Sequence, residues 1–382
     1  MADFINTNPR VLKSVRESLQ MDLDKASKLS KIPINKIKEF EESDTIKPSL
    51  EELKSLAKAY NKPLAALLLY KPVEEKPLPK DRRTVNSEQI GIFDLETIKI
   101  IERARALLDS LLRLKKELGI KIVKFSDKAT LNDDPIRIAN EFRKKWKLDE
   151  LKNLQNTDAA LEGFIEKVEE LGVVIFQLPL TKDNLRGFSI IDEEIPIIVL
   201  KRGGEPTTAK IFTLFHEVGH LLLNESGICD ISFVSQQRIE KWCNAFASEI
   251  LVPKSQLLQN SIVKKYVSED KKEWASKDLI EIGNEFFVGR LVILKKLYDL
   301  GLTTKPYYQE KLNSWNKPSF GKAKEPKGRN IPQEIVKERG KTFISLVFNA
   351  YDQNKINIKE LLDYLGAKLV YIPKIREHLF AK

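Results

Sequence analysis

Apolar residues along this chain recur at two periods, and the change of period marks its elements. Near the middle, Ile211, Leu214, Phe215, Val218 and Leu222 repeat at helical spacing, which predicts a helix over residues 209–223 with one buried stripe. Just upstream, residues 195–200 form a short, β-branched apolar run that reads as a strand. A polar loop, residues 201–208, joins the two. Trp242, Phe246 and Ile250 recur at i+4 through residues 239–253, a second helix with Pro253 near its end. Residues 134–146 and 159–171 have helical patterns, and 173–176 and 187–191 read as further strands of a small sheet. Residues 95–118 predict a long helix whose stripe, Ile98, Ile101, Leu107, Leu111 and Leu114, reads as core.

The ends of the chain differ from its middle. Residues 8–70 carry short helical patterns, one begun by Val11, Val15 and Leu19 and another over 23–29. A third covers 32–41 with Pro33 near its start, and Ser49 with Glu52 forms a capping box opening a fourth that carries Leu53, Leu56 and Ala57. Residues 71–83, with Pro72, Pro77 and Pro79, read as a stiff linker. Beyond Thr303 the pattern predicts an exposed basic connector over 317–329, helices over 334–351 and 358–365, and a short strand over 368–372. The expected organisation is a mainly helical α+β chain: an all-α domain (1–72), a linker and spacer helix (73–128), a central domain with a small sheet (129–302) and a small helical C-terminal region (303–382).

Composition narrows the setting. A length of 382 residues suits two or three domains with a sizeable core. No basic-then-apolar leader and no membrane-length apolar run is visible, so the expectation is a cytoplasmic protein. Cys229 and Cys243 are too few for a disulfide framework, and Cys243 reads as a small buried residue. A formal charge of +10 admits nucleic acid as a partner, but the Lys and Arg residues are spread through the chain, as on any soluble charged surface.

The chemistry is concentrated in the histidines. The chain has only three, and two lie in His216-Glu217-Val218-Gly219-His220. Positions i and i+4 share a helix face, so both imidazoles can reach one metal ion, with Glu217 beside the water to be deprotonated. A catalytic zinc site takes three protein ligands and leaves a position open. Glu240, on the second helix, is the favoured third ligand if a loop of about a dozen residues folds that helix back. The rivals are Glu225, close to the end of the first helix, Asp230 in the loop, and Glu249, about two and a half turns beyond Glu240. His378, near the terminus, reads as an exposed bystander.

The run FTLFHEVGHLLL followed by IEKWCNAFASEILVP resembles the ImmA/IrrE family of zinc metallopeptidases over about residues 130–302. The resemblance implies a zincin-like domain with His216, His220 and Glu240 as zinc ligands and Glu217 as general base. Asn244, Phe246, Ala247 and Pro253 fill framework positions of the motif. A later segment is similar to the family's F-x-V-S…R-L helix, except that Gly289 and Lys296 stand for its Ser and Arg, departures expected to affect packing. The N-terminal region, above all PSLEELKSLAKAY, resembles Xre-type helix-turn-helix domains, which implies that Asn35, Lys36 and Lys38 face a DNA major groove. Against that, Glu39, Glu41, Glu42 and Asp44 crowd the same segment, and the turn before it has Ser30-Lys31 in place of the usual glycine. The implied activity is limited endopeptidase cleavage of a helix-turn-helix repressor, with DNA as a second partner. The alternative is a regulator or toxin–antitoxin component that uses the peptidase fold for binding.

Overall fold

The computed structural model describes residues 4–73, 78, 80–81, 93–151, 154–180, 185–191, 195–224, 227–228, 238–315 and 330–380. They divide between two compact units, one within Met1–Asp81 and Ser87–Arg103, the other within Arg82–Asn86 and Ala104–Lys382. The connector expected over 317–329, and much of the proline-rich linker, lie outside the described residues.

In the first unit α1 (Pro9–Ser18) starts with proline at its first position, capped by Asn8. Asp22 caps α2 (Leu23–Ser30), and Pro33 precedes α3 (Ile34–Glu42). The capping box forms as expected, with Ser49 and Glu52 satisfying the first amides of α4 (Leu50–Tyr60). A one-turn α5 (Leu64–Leu67) follows, and a two-residue strand β1 (Lys80–Asp81). Leu12, Leu19, Met21, Ile37, Phe40, Leu53 and Leu56 form the core. The turn between α2 and α3 needs no glycine, because Lys31 itself adopts the left-handed conformation at φ 61°. Glu41 turns inward: Arg16 Nε and Nη2 each donate to its carboxylate at 2.8 Å, a buried bidentate pair. One of the acids set against a DNA face is therefore part of the core.

A long helix, α6 (Leu95–Glu117), contributes its first residues to one unit and the rest to the other. The second unit continues with α7 (Pro135–Lys145) and α8 (Thr157–Glu170), then strands β2 (Val174–Leu178), β3 (Gly187–Ile190) and β4 (Ile197–Lys201). Next come α9 (Thr207–Leu222), β5 (Gly227–Ile228) and α10 (Arg238–Leu251). Five helices follow: α11 (Lys254–Leu257), α12 (Ser261–Ser268), α13 (Ser276–Glu285), α14 (Arg290–Asp299) and α15 (Lys305–Trp315). The strands run in the order β5-β3-β4-β2; β3 is antiparallel to both neighbours, whereas β2 and β4 are parallel with Val174 opposite Ile197.

Continuous burial of β2, β3 and β4 follows from helices on both faces. Ile175, Ile198 and Leu200 join the core cluster of α8 and α9, where Phe164 meets Phe215 edge to face at 5.2 Å. On the other face Phe176 meets Phe343 of the C-terminal helices. Those helices are α16 (Ile331–Arg339), α17 (Lys341–Asp352), α18 (Ile358–Leu365) and α19 (Ile372–Phe380).

Two expectations for this region are corrected. The single helix expected over 334–351 is broken at Gly340, whose φ of 80° no helix accommodates. The strand expected over 368–372 is a 3-10 turn, Leu369–Tyr371, leading into α19; Leu369 and Val370 stay exposed while Ile375 is buried, so the pattern that counts is helical.

The joint between α8, β2 and α17 carries a titrating group. Burial raises the pKa of Glu169 to about 7, with the charge of Glu166 adding to it, although the Thr342 hydroxyl, the Ile175 amide and Lys115 favour the carboxylate. The folded chain then holds a proton that the unfolded chain, near 4.5, has released, so stability falls as pH rises between about 4.5 and 7. Glu169→Gln is expected to stabilise the protein at pH 8 by about 1–3 kcal/mol, with no gain at pH 4.5. Urea midpoints at the two pH values check this; equal gains at both would rule it out.

Candidate metal centre

The site rests on two helices packed face to face. Every residue of α9 from Ile211 to Leu222 is buried, so this helix is a core element rather than a surface one. It starts behind Pro206, close after β4, in the strand–loop–helix order the sequence predicts. Helix α10 packs against it and is pinned from behind by α7. Trp242 Nε1 donates to the Asp133 carbonyl at 2.9 Å, Trp242 stacks on Phe246, and the Arg143 guanidinium donates to the Ile250 carbonyl. Gly219 sets the approach of α9 to α10: a Cβ there would lie 3.2 Å from Cα, Cβ and Sγ of Cys243. The glycine inside the histidine motif and the small buried cysteine thus allow Glu240 to reach the histidines.

Three donor atoms converge at that crossing. His216 Nε2 and His220 Nε2 are 3.1 Å apart. The Glu240 carboxylate oxygens lie 3.2 Å from the first and 3.5 Å from the second. Ligands at about 2.0–2.2 Å from one tetrahedral ion stand roughly 3.3 Å from one another, so the spacing is that of a metal-ligand set. His216, Glu217 and His220 are 0% exposed and Glu240 is 1% exposed. Burial opposes a charge on His216, yet the hydrogen bond and charge of Glu240, the charge of Glu217 and the Asn244 hydrogen bond raise its pKa above the usual value. The pocket therefore favours positive charge, which suits a cation held by two neutral imidazoles and a carboxylate.

Asn244 completes the arrangement. It lies one turn after Glu240, and its Oδ1 is 3.0 Å from His216 Nδ1. Accepting the Nδ1 proton fixes the tautomer that leaves Nε2 free to face the ion. The sequence offered Asn244 only as a framework position of a motif; its i+4 spacing from Glu240 was the signal for this role.

The rival carboxylates are placed as follows. Glu249 points away from the histidines and accepts from Lys296 Nζ, Asn140 Nδ2 and the Lys254 amide. Both Glu249 and Lys296 are buried, so Lys296 closes a buried ion pair as well as filling space. Gly289, the other departure from the motif, precedes α14 with open space around it. Glu225, Asp230 and Cys229 lie outside the described residues. His378 is half-buried in α19, away from the bystander exposure expected of it. In the first unit Asn35, Lys36 and Lys38 are exposed on α3, with Lys36 bound to Glu52 at 2.9 Å.

Residues 168–298, about a third of the chain, match the model of the Peptidase_M78 family, described as an IrrE N-terminal-like domain. The matched segment runs from the end of α8 into α14 and contains the whole His216, His220 and Glu240 cluster. The match supports a domain of peptidase type over that segment. No curated protein and no solved structure matches the chain. No helix among the described residues is long and apolar enough to cross a membrane.

Proposed function

We propose that the chain is a zinc-dependent endopeptidase that cuts a protein at a limited site, with a helix-turn-helix repressor as the substrate class. The observation that carries this reading is the convergence of His216 Nε2, His220 Nε2 and the Glu240 carboxylate beside Glu217, inside a segment of peptidase type. His216, His220 and Glu240 would hold the zinc ion, which would supply a Lewis acid able to polarise a carbonyl and acidify water. Glu217, next to His216 on the same helix and dry, takes the proton of the attacking water and returns it to the leaving amine. Asn244 keeps the His216 ring oriented throughout. The repressor substrate rests on the resemblance of the chain to ImmA/IrrE peptidases, and the N-terminal helices supply the part that locates the enzyme on that substrate or on DNA.

Two measurements test the reading. Co-expression with a helix-turn-helix repressor should remove the intact repressor; survival with zinc loaded and partner bound eliminates that substrate. Glu240→Ala should strip the purified chain of zinc, and unchanged zinc content would move the third ligand to another carboxylate.

A further inference from the structure

A cavity of about 610 Å³ opens along α10, walled also by Ile136 of α7, Phe212 of α9, Lys254 of α11 and the end of α14. Phe212, one turn before His216, lines one side, and Asn244, one turn after Glu240, lines another. Because Asn244 also bonds His216 Nδ1, the cavity and the metal centre share a wall. Its size falls among ligand pockets of about 300–1,000 Å³, large enough for more than one side chain.

Its charge is one-sided. Of its two acids, Asp299 pairs with Lys295 and Glu249 with Lys296. That leaves the ammonium groups of Lys241 and Lys254, both exposed side chains with no ion-pair partner among the described residues. Ser248, two turns along α10 from Glu240, adds a buried hydroxyl with no hydrogen-bond partner among them. Two uncompensated cations and an unused donor around a partly enclosed space attract a carboxylate and repel a basic side chain.

We infer that this cavity is a specificity subsite that receives an acidic side chain of the protein substrate close to the bond that is cut. The inference rests on the peptidase reading, but it concerns binding and is measurable without turnover. Glutamate and aspartate fit alike: Lys241 and Lys254 meet the carboxylate, Ser248 donates to it, and Phe212 covers the methylene groups behind it. Lys296 is not available for this task, because Glu249 holds it.

The test uses the full-length, zinc-loaded Glu217→Gln protein, which leaves peptides intact. Two fluorescein-labelled nonapeptides are compared by anisotropy, one with a central Asp-Glu and its Asn-Gln isostere. The acidic peptide should bind at least about tenfold tighter, and that preference should vanish in Lys241→Gln/Lys254→Gln, two surface changes that leave the core intact. Equal binding of the two peptides, no binding of either at millimolar concentration, or a preference that survives the double change would each overturn the subsite. Displacement by succinate as effectively as by peptide would reassign the cavity to a free anion and overturn it too. A wild-type chain that keeps the acidic preference yet cuts nothing in a peptide library would uphold the subsite while refuting hydrolysis.

Discussion

Glu217→Gln is expected to lower the rate of the proposed peptide cleavage by about 10²- to 10⁴-fold while leaving metal binding unchanged. The side chain is fully buried and the amide is isosteric, so the packing of α9 survives the change. The three donor atoms belong to His216, His220 and Glu240, so the ion is held as before. What disappears is an anionic group that can carry a proton from water to the leaving amine. Carbonyl polarisation persists, which explains why a residual rate should remain. Cleavage followed by gel or mass spectrometry, with zinc content measured in parallel, decides the matter. A variant within threefold of wild type would show that Glu217 is not the base, and a chain acting unchanged in cells would favour a binding role for the fold.

How much of this was legible in the sequence depended on how local each feature is. The histidine motif and the partner helix with Glu240 could be read because a helical face is set by spacing of three and four residues. The capping box at Ser49 and Glu52 was readable for the same reason. The strands of the sheet were visible as apolar runs, but their pairing was not: β2 lies beside β4 in parallel, across β3 in sequence, and burial on both faces erases the alternation that marks direction and side. The inward turn of Glu41 was hidden because its partner Arg16 is on another helix. Glycine effects divided in the same way. Gly219 sits inside an obvious motif, yet its need comes from Cys243 across the helix crossing. Gly340 breaks a run whose composition reads as one helix. Acidic charges in the N-terminal region were counted from composition, which cannot tell a solvated carboxylate from one already bound.

The second large effect concerns Lys296, at the position where the sequence suggested little more than a change of packing. Lys296 and Glu249 are separated by 47 residues in sequence, and only the packing of α14 on α10 makes them a buried pair. Such a pair adds little net stability when formed, because desolvating two ions offsets most of their attraction. Breaking it is different. Lys296→Met leaves the Glu249 carboxylate buried with neutral donors only, from Asn140 and the Lys254 amide, and should cost about 3–5 kcal/mol of folding stability. Adding Glu249→Gln removes the stranded charge but keeps an oxygen for those donors, so the double variant should regain most of the loss. Urea denaturation of the two single variants and the double forms a complete cycle. A double variant no more stable than Lys296→Met alone would mean that Lys296 supports α10 by filling space, and that its charge contributes nothing. Recovery would instead identify α14 as an electrostatic brace for α10, the helix that presents Glu240, placing the stability of the candidate metal centre partly in a residue four helices further along the chain.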